Sequence, residues 1–206
     1  MTRIIASREN NLEDDSTKQL LNYVEQKISD EYRWLMANFE DKFKKKFEGR
    51  LCFTRFKGNF MAVAEMARKS ITVSLPAILQ REHLDVLIHE LGHFITEDQG
   101  YTGDFIKSPH CFMFAILCSV LRRDLLGQKA YFFEPYDFHE DVYYRKLVLS
   151  PYEYDQRIIA IEYKDFDDLL IACEEFSNEL HQSINELEHI KLVKRCSFTL
   201  DSWKQQ

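Results

Sequence analysis

Glycine and proline are scarce in this chain, six and four among 206 residues, and no low-complexity tract or internal repeat runs through it. Disorder is therefore expected only near the ends. Cysteine is sparse too: Cys52, Cys111, Cys118, Cys173 and Cys196 are scattered, odd in number and free of any C-x-x-C pair. That pattern excludes a disulfide framework or a zinc ribbon and leads us to expect buried thiols in a reducing compartment. No apolar run approaches a membrane span, and Met1 to Asn11 holds no apolar segment of signal-peptide length. A cytoplasmic location without membrane association is the expectation. Positive charge is in the minority, with 27 Lys and Arg against 34 Asp and Glu, a net charge of −7. Sequence-independent binding to nucleic acid depends on basic side chains neutralising phosphates, so any DNA association is expected to be weak and lost near physiological salt. The densest basic run, Lys42, Lys44, Lys45, Lys46 and Arg50, closes a helix, where positive charge also offsets the helix dipole.

What the chain does have is length enough for one sizeable core, 14% aromatic residues to fill it, and one short motif that carries chemistry. His89-Glu90-Leu91-Gly92-His93 places two imidazoles one turn apart, because four residues at about 100° each return His93 to within about 40° of His89. Two corners of a tetrahedral zinc suit that spacing. Glu90, beside the first ligand, is placed to take a proton from a metal-activated water, which makes H-E-x-x-H a signature of metal-assisted hydrolysis. Gly92 costs a helix about 1 kcal/mol relative to alanine, so something is expected to pack close against the backbone there. Leu84, Val86, Leu87, Ile88, Leu91, Phe94 and Ile95 make most of the helix circumference apolar, and a buried helix follows.

The surrounding pattern is of the α+β class. Leu20, Leu21, Val24, Ile28, Leu35, Phe39 and Phe43 recur at steps of three and four, predicting one long helix from Ser16, a suitable N-cap, to Phe47, ended by Gly49. Segments 51–56, 60–66 and 70–75, rich in Phe, Val, Ile and Thr, read as a small antiparallel meander that Pro76 stops. The H-E-x-x-H helix is predicted over 82–96, a loop over 98–107, and a further helix from Pro109, capped by Ser108, to about Leu126.

A catalytic zinc takes three protein ligands and keeps one position open, so a third donor is required. His110, 17 positions beyond His93 in the first turn of the helix predicted after the loop, is the expected third ligand, with Phe114 four residues on to seat that helix. Glu97, Asp98, Asp104 and His139 are rivals. Glu97 shares the face of His93, but three ligands from consecutive turns of one helix do not easily surround one ion. His83, His181 and His189, in polar, Glu-rich surroundings, are expected to face solvent.

Taken together, Phe47-Glu48-Gly49, the strand Ser70 to Ser74, Leu87-Ile88-His89-Glu90-Leu91-Gly92-His93 and His110-Cys111-Phe112-Met113-Phe114, in this order after a long helix, resemble the SprT-like zinc metalloprotease domain over roughly residues 16–127. The resemblance implies a zincin-like fold, zinc on His89, His93 and His110, catalysis by Glu90, and protein or peptide substrates, including proteins attached to DNA. Cys111 stands where the family usually has glycine, and the four-cysteine ribbon of many members is absent. Residues 128–206 are expected to form an α+β extension, packed on the first unit or used for docking. A strand is predicted over 157–163, a helix over 166–188 with Leu169, Leu170, Cys173, Phe176, Leu180, Ile184 and Leu187 on one stripe, and a closing strand over 191–200.

Two other readings of the motif remain. One is a non-catalytic zinc-stabilised binding or adaptor protein, against which the retention of Glu90 weighs. The other is a metalloprotease that cuts a repressor or an antirestriction target, which a carboxylate third ligand would favour.

Overall fold

The structure, a computed structural model, describes residues 15–55, 60–79, 83–98, 111–127 and 149–203. Helix α1, Asp15–Phe43, buries Leu21, Val24, Ile28, Tyr32, Leu35, Phe39 and Phe43 along one stripe; Leu20, expected on it, is exposed. The helix ends four residues before the predicted Phe47. Lys44 adopts a left-handed φ of 51° and its Nζ reaches Asp41 at 3.0 Å. The turn frees Phe47 to pack edge-on against Phe94 at 5.1 Å between ring centroids, a contact between distant segments that outweighs continued helix.

Strands β1 (Arg50–Thr54), β2 (Ala62–Glu65) and β3 (Ser70–Ser74) form a sheet of order β1-β3-β2. This corrects the antiparallel meander. Only β2 and β3 pair antiparallel, Ala62 opposite Val73 and Glu65 opposite Ser70, through a tight turn in which Lys69 takes a left-handed φ of 47°. β1 runs parallel to β3, from Arg50 beside Ser70 to Thr54 beside Ser74. The physical reason lies in burial: β3 is the most buried strand, with Ile71 and Val73 fully covered, so the central position suits it best.

A single turn, α2 (Leu75–Ile78), leads to α3 (His83–Asp98), which bears the motif. Helix α4, Phe112–Leu121, is buried at all ten positions, as a helix apolar on every side must be. Its predicted start is corrected: the extended Cys111, with φ −77° and ψ 173°, is the N-cap, while Ser108, Pro109 and His110 lie outside the described residues. A π-helical turn, Arg122–Leu126, closes the segment at Gly127, whose φ of 64° favours glycine.

Neither strand expected in the C-terminal part forms: 157–160 closes a helix, 161–163 is a connection, and 191–200 is helical. α5, Pro151–Ala160, opens on a capping box in which Ser150 and Glu153 satisfy each other's backbone N–H groups. α6 runs unbroken from Phe166 to Trp203. No glycine or proline follows Phe166, so neither of these breakers interrupts α6. The structure is thus mixed α+β, dominated by helix, with one small sheet of three strands. Among the described residues, no helix is long and apolar enough to cross a membrane.

One apolar core joins α1, the sheet, α3, α4, α5 and α6, from Leu35 and Ile71 to Leu91, Leu117, Tyr154 and Leu169. Arg123 ties the π-helical turn to α5. Its guanidinium holds both oxygens of Asp124, at 2.7 and 2.9 Å, and donates to the carbonyls of Ile158 and Ile161, while Tyr163 donates to Asp124. Burial pushes the Asp124 carboxyl up, but the hydrogen bonds from Arg123 and Tyr163, with the charge of Arg123, outweigh it and hold the group below its ordinary range. Because the folded value is depressed, Asp124 adds stability above the unfolded carboxylate range that is lost as pH falls through the folded value. Arg123→Ala leaves a half-buried carboxylate and the end of α5 without these donors, at an expected cost of about 2–4 kcal/mol. A melting temperature at neutral pH lowered by roughly 5–15 °C is the expected result, and an unchanged one would remove Arg123 as the tie.

Candidate metal centre

Helix α3 fixes the site because one broad face of it is committed to the core. Leu87, Ile88 and Leu91 are fully buried, and Phe94 and Ile95 nearly so. The opposite side carries His89 and His93, both half-buried. Their Nε2 atoms stand 3.1 Å apart and their rings meet nearly at right angles, 82°. Two nitrogens at about 2.05 Å from a tetrahedral zinc are separated by about 3.3 Å, so the pair already has the spacing of a chelate. The same contact can be a hydrogen bond, one ring nitrogen donating and the other accepting.

Phe114 of α4 sets both rings. It stacks on His93 at 4.3 Å and 21° and meets His89 edge-on at 5.0 Å. Gly92 allows this approach: a Cβ there would lie 2.4 Å from Cys118 Sγ and 3.0 Å from Phe114 Cε2. The close packing expected from a glycine inside a helix is therefore with α4. Glu90, 5% exposed, sits about 100° around the helix from His89 and about 60° from His93. Beyond His93, Thr96 donates to the carbonyl oxygens of Gly92 and His93, at 2.9 and 3.3 Å, and steadies the last turn under the second histidine.

Among the described residues, no third His, Cys, Asp or Glu joins this pair into a metal-holding group. Glu97, the carboxylate rival one turn past His93, is exposed and takes no part; the rise of about 6 Å per four residues carries it along the helix and away from a shared ion. Cys111 does not converge either. His110, the Asp98 side chain, Asp104 and His139 lie outside the described residues, as do Tyr101, Tyr131, Tyr136 and Tyr143, the aromatic hydroxyls suited by chemistry to steady an oxyanion.

Of the histidines expected in solvent, His83 is buried and His181 is half-buried. His83, at the start of α3, is buried and its Nδ1 lies 3.0 Å from Glu31 of α1. His181 of α6 packs edge-on against Phe112 at 4.9 Å and its Nδ1 lies 2.9 Å from the carbonyl oxygen of Ser177. Glu31 lies 52 positions from His83 and the Phe112 ring comes to His181 from another helix, so local composition misread both. The side chain of His189 lies outside the described residues.

A scan against protein-family models, a search of curated proteins and a search of solved structures each found no match. Any assignment of chemistry rests on the residues themselves. The donor set present, two imidazoles at chelating distance beside a buried carboxylate, fits zinc as two of three ligands.

Proposed function

We propose that this chain is a zinc-dependent metallopeptidase of the SprT-like kind, with a zincin-like site on α3. The observation that carries the reading is the 3.1 Å approach of His89 Nε2 to His93 Nε2 with Glu90 one residue away and almost wholly buried. His89, His93 and His110 would hold the metal, which would bring the pKa of a water toward about 7 and polarise the scissile carbonyl.

The rest is the work of the chain's own side chains. Glu90 takes the proton of the attacking water as its oxygen bonds to the peptide carbon, and passes that proton to the nitrogen as the C–N bond breaks. Burial of Glu90 keeps bulk water from competing for it and strengthens its interaction with a developing charge. Phe114 and Gly92 hold the imidazoles in place, so little reorganisation is needed during reaction. Substrates are proteins or peptides. The resemblance extends them to proteins attached to DNA, while the net charge of −7 leaves little direct grip on the DNA itself.

The full chain loaded with zinc is expected to cut unfolded casein, to stop on addition of a chelator and to resume when zinc is restored. Cleavage that continues in excess chelator would overturn the metal-dependent reading. A chain that keeps zinc and cuts no unfolded protein would favour a zinc-stabilised binding protein.

A further inference from the structure

Beyond the metal-binding face of α3 lies a groove of 340 Å³ to which the mechanism gives no role. Its walls come from the end of α1, the following turn, the β2–β3 turn, the last turns of α3 and the start of α6. Four aromatic rings line it, Phe39, Phe47, Phe94 and Phe166, with Met66 and Ile95. The basic run Lys42 to Arg50 contributes Lys45 and Lys46 to its rim, where Lys69, Glu48 and Glu97 also sit.

We propose that this groove is the specificity subsite of the peptidase and receives one large apolar side chain, aromatic or long aliphatic, of the peptide being cut. The proposal rests on the reading of α3 as a peptidase site. Two observations carry it. The first is continuity: His89, His93 and Glu97 follow at four-residue steps on nearly one face, so the groove rim at Glu97 begins about 6 Å along the helix from His93. A peptide held over the histidines needs to run only one or two residues, at about 3.3 Å each, to reach it.

The second is charge. Lys45 is already engaged, 3.7 Å from Asp167 Oδ1 and 4.6 Å from the centre of the Phe166 ring. The other rim charges, Lys46 and Lys69 against Glu48 and Glu97, balance. A polyanion gains nothing from such a rim, whereas a neutral apolar side chain with a peptide backbone on either side matches both rim and floor. The volume suits one large side chain and its neighbours. Phe47 forms one wall. A Cβ on Gly49 would lie 2.0 Å from Phe47 Cε1, so this ring folds back over a glycine in a turn that Tyr32 Oη holds by donating to Gly49 O at 3.2 Å.

Cut sites in unfolded casein, mapped by mass spectrometry, test the assignment. The zinc-loaded chain should favour Phe, Leu or Met over Ala at one fixed position from the cut bond by roughly 10- to 200-fold. Met66→Trp, which fills the groove, and Phe47→Ala, which removes a wall, should each collapse that preference. Cutting without a fixed apolar position, or a preference unchanged in both folded variants, would overturn the proposal. If no cutting occurs at all, the groove is read directly from the Met66 methyl resonance of the full-length Glu90→Gln chain. Acetyl-Ala-Ala-Phe-Ala-Ala-amide should shift it and the all-alanine peptide should not. That shift would support an apolar side-chain site while the peptidase reading falls, and no shift would remove the groove proposal as well.

Discussion

Glu90→Gln is expected to abolish detectable cleavage while leaving zinc content and melting temperature unchanged. The substitution keeps the size and shape of a side chain that is only 5% exposed, so the packing of α3 is preserved. It removes the group that accepts the water's proton, and general-base contributions of roughly 10² to 10⁴ in rate are lost with it. Measuring casein hydrolysis, bound zinc and thermal unfolding on the same preparations separates catalysis from folding. Equal hydrolysis by parent and variant would refute the catalytic role of Glu90.

The largest stability effect near the site is expected at Gly92. Alanine would gain about 1 kcal/mol of helix propensity, but its methyl would meet Cys118 Sγ at 2.4 Å and Phe114 at 3.0 Å, and both are fully buried. Overpacking of this kind costs about 1–3 kcal/mol in a core that cannot move aside. Gly92→Ala should therefore be less stable than the parent, by up to about 2 kcal/mol net, and should bind zinc more weakly because Phe114 shifts against His93. Adding Cys118→Ala makes room, so the double variant should recover most of the loss. Thermal unfolding of the four proteins in this cycle reads the coupling; a single variant as stable as the parent would show that the helices separate at no cost.

Gly92 also illustrates what was legible in the sequence. A glycine inside an apolar helix implied a close neighbour, and the structure supplies it in Cys118 and Phe114. The motif helix, predicted over 82–96, spans His83–Asp98, because its period and its burial point the same way. The order of the strands was not legible, since pairing depends on which strand the core covers and not on local pattern. α5 was legible and misread. Ser150, Pro151 and Glu153 spell a capping box, and Tyr154 and Ile158, both fully buried, are one turn apart. The alternation in Arg157 to Tyr163 imitated a strand over only seven residues, too short for period alone to decide. His83 was hidden for a different reason: its partner Glu31 lies on another helix, and no local window contains it.

Zinc content measured on the parent chain beside His89→Ala, His93→Ala, His110→Ala and Glu97→Ala tests the central claim most directly. About one zinc per chain is expected in the parent and in Glu97→Ala, and none in the three histidine variants. Zinc retained in His110→Ala alone would move the third ligand to Asp98, Asp104 or His139, whereas a parent free of zinc, or zinc undiminished in His89→Ala and His93→Ala, would contradict a metal site on α3.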